Sequence, residues 1–219
     1  RMLAASAALA WLPGDDVRVD LAFDHQEDDY DTAYWGAPLV PAAIARDPSG
    51  LVRDGRRGYV VDRAQRRTNY NVDDAVQMSK SDWLRGRVQW RIGETWRFTG
   101  DAALYDAERR WHNAETYTYV PSTGLLARSS TRIEHDHRFW TVRGALSADA
   151  TLGGLRNRFG AGVEFNRNRF RNPRQFATVA AVDPNAPVRG LFPYGLGAEN
   201  VFHSEVQAAS LFVEDALNL

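Results

Sequence analysis

The sequence predicts an all-β fold, a fragment of an antiparallel transmembrane β-barrel, and three observations carry that reading. Five segments alternate apolar and polar residues with a period of two, which sends one set of side chains to each face of a strand. The connections between strands run short, long, short, long, short, long, as expected when antiparallel neighbours join alternately at the two membrane surfaces. The expected strands of about 11 to 16 residues also exceed the five or six usual in globular sheets.

The first strand is expected at Met2–Leu12, with Leu3, Ala5, Ala7, Leu9 and Trp11 on one face; its alanines also suit a helix. Pro13-Gly14-Asp15-Asp16 is turn chemistry, because proline cannot donate to a ladder and glycine accepts positive φ. The second strand, Val17 to about Asp28, sets Val17, Val19, Leu21 and Phe23 against Arg18, Asp20, Ala22 and Asp24. From about Asp29 to Lys80 no period is sustained, and glycine, proline and charge are frequent. The third strand, about Ser81–Ile92, opposes Leu84, Val88, Trp90 and Ile92 to Arg85, Arg87, Gln89 and Arg91; Gly93-Glu94 closes a tight turn. The fourth returns with Trp96, Phe98, Ala102 and Leu104 against Arg97, Thr99, Asp101 and Tyr105.

A second long connection is expected over about Asp106–Ile133. The fifth strand, about Glu134–Ala150, sets Trp140, Val142 and Leu146 against Thr141, Arg143, Ser147 and Asp149, before a turn at Gly153-Gly154. The sixth, Asn157–Phe170, opposes Phe159, Ala161, Val163 and Phe165 to Arg158, Gly160, Gly162, Glu164 and Asn166. A third long connection covers about Arg171–Ser204, and a seventh strand begins near Glu205.

The arginines decide which face meets what. Arg85, Arg87, Arg91 and Arg97 cannot form the dry core of a sandwich, since burying one unpaired charge costs several kcal/mol. They are expected to face a hydrated lumen with Arg143 and Arg158, where Asp101 and Glu164 are partners of opposite sign. The opposite set, from Val17 to Phe165, then faces lipid. Trp11, Trp90 and Trp96 lie beside short turns and Trp83 and Trp140 near the other strand ends, as two interfacial aromatic belts would. The competing arrangement is a one-layer sheet with one solvated face, packed on another domain.

Composition agrees without deciding. Among 219 residues, 44% are hydrophobic and the net charge is −1. No apolar run approaches the roughly 20 residues of a membrane helix, but barrel strands dilute their hydropathy with lumen residues. Near-neutral charge gives no support to a nucleic-acid partner. The absence of cysteine removes disulfides, thiolate metal sites and thiol nucleophiles. Arg1–Leu12 lacks the continuous apolar core of a leader, and both ends read as cuts, so residues 1–219 are expected to form part of one barrel domain.

No enzyme motif is present, and no catalysis is expected. His135-x-His137 puts two imidazoles on one strand face but has no identifiable third ligand. Asp28-Asp29-Tyr30-Asp31 lacks the spacing of a calcium loop. Gly160-Ala161-Gly162 lies inside a strand and cannot cradle a nucleotide. No serine occupies a Gly-x-Ser-x-Gly elbow. No resident cofactor or metal is expected. The long connections are more informative. Tyr30, Tyr34 and Trp35 follow the second strand, Trp111, Tyr117 and Tyr119 occupy the second connection, and Phe192 and Tyr194 the third. Arg53, Arg56, Arg57, Arg63, Arg66 and Arg67 stud the first. Rings and guanidinium groups converging at a barrel mouth would suit a bulky, anionic, aromatic-bearing ligand; the alternative is that these aromatics pack on one another.

The run Asp28-Asp29-Tyr30-Asp31-Thr32-Ala33-Tyr34-Trp35-Gly36-Ala37-Pro38-Leu39-Val40-Pro41, then Arg67-Thr68-Asn69-Tyr70-Asn71, resembles the barrel of TonB-dependent ferric-siderophore receptors. That family often carries a Tyr-x-Gly-x-Pro phrase in an early extracellular loop and an Asn-Tyr phrase leading back to the membrane. Leu211-Phe212-Val213-Glu214-Asp215 resembles a strand entry that recurs later in these barrels. The resemblance implies a barrel of about 22 strands in the Gram-negative outer membrane, of which this chain supplies about seven. It implies a ferric siderophore as ligand, outer-membrane lipid around the wall, and the TonB-ExbB-ExbD complex as energy source, reached through an N-terminal plug that this sequence lacks. The parent is thus expected to act in iron transport and as a receptor. Other readings are another outer-membrane barrel, such as a porin or barrel hydrolase, and a soluble β-rich carbohydrate-binding module.

Overall fold

The computed structural model describes residues 1–30, 35–49 and 58–218. Seven long strands form one antiparallel sheet in chain order: β1 (Met2–Gly14), β2 (Val17–Tyr30), β5 (Val76–Ile92), β6 (Trp96–Val120), β7 (Leu125–Leu152), β8 (Leu155–Val182) and β9 (Glu199–Asn218). A small hairpin of β3 (Leu39–Pro41) and β4 (Tyr59–Val61) sits inside the connection from β2 to β5. Short turns follow β1, β5 and β7, with Gly93, Gly153 and Gly154 at positive φ, where a side chain would be strained.

The register places the alternating residues on two consistent faces. Val19, Val88, Gly100, Gly144, Val163 and Leu211 are successive cross-strand partners, and the next row is Leu21, Gly86, Ala102, Val142, Phe165 and Ala209. Every residue from Val17 to Phe165 expected on the apolar side shares this face. The arginines from Arg85 to Arg158, with Asp101 and Glu164, share the other. Val142 and Phe165 are half exposed, at 51% and 52%, and no second layer among the described residues covers them.

The apolar face ends abruptly. Its rows run from Ile92, Trp96 and Phe159 up to Phe23, Leu84, Leu104 and Trp140. The next row on the same face reads His25, Asp82, Asp106, Arg138, Arg169 and Glu205. From Trp96 to Leu104 the strand advances about 27 Å at roughly 3.4 Å per residue. A tilt of roughly 40° reduces this to about 21 Å, close to the apolar band of an outer-membrane barrel.

The strands are longer than expected, and this corrects the connections. β6 and β7 continue through Asp106–Ile133 as a paired ladder and turn only at residues 121–124, so the second connection is a hairpin rather than a loop. β8 likewise runs to Val182 and β9 begins at Glu199, which shortens the third connection to residues 183–198. Beyond the last apolar row only scattered positions such as Ala114, Leu126 and Val179 are buried, under the connections, so no greasy stripe marks the strand, while the hydrogen-bond ladder persists. Trp83 is also corrected: it lies on the polar face against Tyr105 (ring centroids 5.2 Å apart) and belongs to no outward belt.

The buried core gathers where the connections fold onto the strand extensions. Val72, Ala75, Ala114, Val179 and Phe192 form one cluster; Tyr70, Leu126 and Val182 form another, with Tyr117 and Tyr119 packed against it. Buried Asn71 ties the two connections together. Its Nδ2 donates to Asn113 (2.7 Å), its Oδ1 accepts from Ala114 N (2.7 Å), and its carbonyl accepts from Arg189 Nε (2.7 Å). The Arg128 guanidinium, also buried, donates to the carbonyls of Tyr70, Ala180 and Arg189 at 2.7–2.9 Å.

Candidate functional site

On the polar face below the mouth, charge is largely matched. Arg87 meets Asp101 at 2.6 Å, Arg91 meets Asp16 at 2.7 Å, and Arg85 pairs with Asp24. Arg158 lies 3.5 Å from Asp149. Arg143 stands across from Glu164 but lays its guanidinium over the Phe212 ring, 4.7 Å from the centroid. These exposed pairs are screened by solvent and contribute little to stability; their consequence is a hydrated, charged wall.

Above this wall the seven candidate aromatics among the described residues divide into two groups. Tyr30 is the cross-strand partner of Gln77, which is the partner of Trp111, all on the polar face. The Trp35 ring packs on Trp111 with centroids 5.0 Å apart, and the Arg109 guanidinium lies 4.7 Å over the same indole. The Trp111 Nε1–H donates to Glu115. Tyr30, Trp35, Trp111 and Arg109 therefore gather at the mouth end of the polar face. Tyr34, Arg53, Arg56 and Arg57 lie outside the described residues.

The other four take a different place. A bulge between Glu115 and Thr118, with Thr116 at φ 60°, shifts the phase of β6 and turns Tyr117 and Tyr119 toward the loop core. Burial pushes the Tyr117 phenol above its ordinary range, and its hydroxyl donates to Ala114 O at 3.0 Å. Phe192 is buried against Ala114 and Val179. Tyr194 packs on Phe192, with centroids 4.8 Å apart. Tyr117 and Tyr119 pack with Tyr70 and Leu126, Phe192 and Tyr194 pack on each other, and among the described ring contacts none joins these four to Trp111, as in the alternative that the connection aromatics pack within the loops.

His112 packs on both Phe192 and Tyr194. Its Nε2 lies 2.9 Å from Glu134 and its Nδ1 3.2 Å from the Tyr194 hydroxyl. A neutral imidazole donating from Nε2 and accepting at Nδ1 satisfies both contacts. Burial depresses the His112 pKa and outweighs the opposing pull of Glu134. Burial raises the Glu134 carboxyl, but hydrogen bonds from His112 and Arg132 win and hold it below its usual range.

One feature of the polar face escaped the sequence reading altogether. Trp83, Tyr105, His137, Phe170 and Phe202, from five successive strands, form a chain of rings with centroids 5.2, 5.4, 5.9 and 6.3 Å apart. His135 adds a sixth ring, 5.2 Å from Phe170. Between the ladder and the mouth lies a hollow of about 300 Å³ whose lining mixes rings, such as Tyr105, His137 and Phe170, with charged residues, Lys80, Glu108 and Arg109. The signal was present in the alternation: the residues of the ring chain keep the parity of Arg85 and Arg143, one to three rows beyond Arg85.

No family model matches the chain, and no curated protein matches it by sequence. Solved structures do. The ferric-catecholate import receptor Fiu from E. coli K12, in its closed form, matches with a TM-score of 0.70 at 17% identity, over 99% of this chain and 31% of that one. BauA, the ferric preacinetobactin receptor from Acinetobacter baumannii, matches at 0.64 and 15%, over 99% and 31%. The siderophore receptor PiuA from Acinetobacter baumannii matches at 0.62 and 13%, over 99% and 32%. This chain spans about a third of the length of these structures. At such identities the likeness shows the fold: an all-β antiparallel wall of the kind found in outer-membrane barrels.

Proposed function

We propose that this chain is part of the wall and outer rim of an outer-membrane receptor that binds ferric siderophores and imports them with TonB-derived energy, without catalysis. The observation that carries the reading is the position of the mouth cluster: Tyr30, Trp35, Trp111 and Arg109 gather on the polar face, above a band whose opposite face is apolar. In this reading the apolar face meets lipid, the arginine-rich face meets lumen water, and the long strand extensions stand outside the cell. Neighbouring indoles and a guanidinium suit a bulky anionic chelate that carries aromatic rings. The structural neighbours, named as ferric-siderophore, siderophore and ferric-catecholate receptors, support the substrate class. The TonB-ExbB-ExbD complex would be the energetic partner.

The test is binding of ferric catecholate, hydroxamate and citrate complexes to the protein in detergent micelles, with Trp35→Leu and Trp111→Leu beside the native chain. At least one complex is expected to bind at micromolar concentration or tighter and to lose about tenfold affinity in either variant, as removal of stacking and cation–π contacts predicts. Unchanged affinity in both variants would remove the mouth cluster from the ligand site.

A further inference from the structure

We infer that His112 is the pin of an acid-released latch: as a neutral imidazole it holds the third connection, and with it the end of the first, against the strand extensions, and its protonation frees both segments together. The device is independent of any ligand at the mouth.

His112 and Ala114 keep the strand parity of Trp96 and Leu104, so the segments packed on them lie on the opposite side of the wall from Trp111. Those segments are fastened to each other. Asp73 N donates to Gly190 O at 2.8 Å and Phe192 N to Asp74 Oδ1 at 2.6 Å. Arg189 donates from Nε and Nη2 to the carbonyls of Asn71 and Val72 at 2.7 and 2.8 Å. The third connection then meets β6 at His112, whose ring lies 5.6 Å, centroid to centroid, from both Phe192 and Tyr194. The other fastenings to the sheet are Asn71 Oδ1 with Ala114 N and Arg128 with Arg189 O. Neither contains a group that titrates between pH 5 and 8, so a response to acid in that range falls on His112.

The site is built for the neutral ring. His112 is 7% exposed, and the Tyr194 hydroxyl and Glu134 satisfy its two nitrogens without a second ring proton. The charged groups around it are Arg110 on its own strand, Arg132 and Glu134 on β7, and Asp74 on the first connection. Each carboxylate nearby is already engaged. Glu134 is shared with Arg132 at 3.0 Å, Arg132 also reaches Glu199 at 3.4 Å, Asp74 accepts from Phe192 N, and Glu108 pairs with Arg110. A proton added to His112 thus makes a third cation beside Arg110 and Arg132, in a place that water scarcely reaches. Once the segments lift away, the ring is solvated and takes its proton near the ordinary pH of about 6.5. Acid therefore favours the lifted state, and release uncovers the apolar strip of Val72, Ala75, Ala114, Val179 and Phe192.

The test is residue-resolved hydrogen exchange of the protein in detergent micelles at pH 7.5, 6.5 and 5.5, corrected for intrinsic rates. The amides of Asp73, Ala114 and Phe192, whose partners lie across the junction, are expected to accelerate by a common factor of about three to ten between pH 7.5 and 5.5. Amides of the apolar rows are expected to hold. His112→Gln keeps a donor and an acceptor but takes no charge, so the acceleration is expected to vanish. Glu134→Gln removes the carboxylate nearest the ring and is expected to enlarge it. A merely structural role for either residue would lower protection equally at every pH and leave the slope as it was. Absence of acceleration in the native protein, equal acceleration in His112→Gln, or acceleration at Phe192 without Asp73 would overturn the inference. A smaller pH effect in Glu134→Gln than in the native chain would do so on its own, should His112→Gln fail to fold.

Discussion

Trp140 and Arg138 lie two residues apart on the same face of β7, yet Trp140 closes the apolar face and Arg138 opens the charged rows, paired with Asp106 at 2.6 Å. One step along the strand thus exchanges an indole for a guanidinium. Across β2, β5, β6 and β7 the same step is taken together, at Phe23 and His25, Leu84 and Asp82, Leu104 and Asp106. A boundary held in register across strands is what a membrane surface imposes on a wall.

Val163 sits midway up the apolar rows. Val163→Arg is expected to cost about 2–4 kcal/mol, the price of a lipid-facing cation at the bilayer midplane. Asn166→Arg, on the polar face, should cost less than about 0.5 kcal/mol. Denaturant titration of the protein folded into lipid vesicles measures both.

Gly162 is required for close approach. A Cβ there would lie 2.5 Å from the Gly144 carbonyl oxygen and against the Phe212 ring. Backbone cannot yield as a flexible side chain can, so Gly162→Ala is expected to destabilise by about 1–3 kcal/mol. Gly160, which has nothing within 4 Å, is the control for the same unfolding measurement: Gly160→Ala should stay within about 0.5 kcal/mol.

Arg128→Met would leave the carbonyls of Tyr70, Ala180 and Arg189 without their donor. Unsatisfied buried acceptors cost about 1–3 kcal/mol each in the worst case. The loss should therefore appear as faster hydrogen exchange in segments 70–75 and 183–194, while the apolar rows keep native protection.

The His112 junction should respond to acid. A base whose pKa is depressed by folding contributes fully above its unfolded value of 6.5 and loses that contribution as pH falls below it. Glu134, held low in the fold, adds stability above 4.5 that is lost as pH falls further. Both signs agree. Amides of residues 190–194 should exchange faster at pH 5.5 than at 7.5, after correction for intrinsic rates. In His112→Gln the part of this difference that falls between pH 7.5 and 5.5 should disappear.

The membrane-height part of the fold was legible because one face of each strand must be greasy there: Val17 to Phe23 and Trp96 to Leu104 announce themselves. Above Leu104 that requirement ends, and β6 continues as Arg109, Trp111 and Asn113 on one side and Arg110, His112 and Ala114 on the other, with no apolar stripe. What remained readable was β propensity, in Thr116-Tyr117-Thr118-Tyr119-Val120 and Thr178-Val179-Ala180-Ala181-Val182. The site was legible only in composition. That Tyr117 and Phe192 are core while Trp111 is mouth follows from a bulge and from long-range contacts with Tyr70 and Val72, which no local pattern specifies.

The central claim is that even-numbered and odd-numbered residues of β7 meet different solvents at the height of Trp140, Val142 and Leu146. The chain has no cysteine, so single-cysteine spin labels can be placed at 138, 140, 141, 142, 143, 145 and 146 in lipid vesicles. Positions 140, 142 and 146 are predicted to be accessible to oxygen, and 141, 143 and 145 to a water-soluble nickel chelate. Position 138 is predicted to join the aqueous set despite its even number. Uniform accessibility along the strand, or oxygen-accessible labels at 141 and 143, would contradict the account.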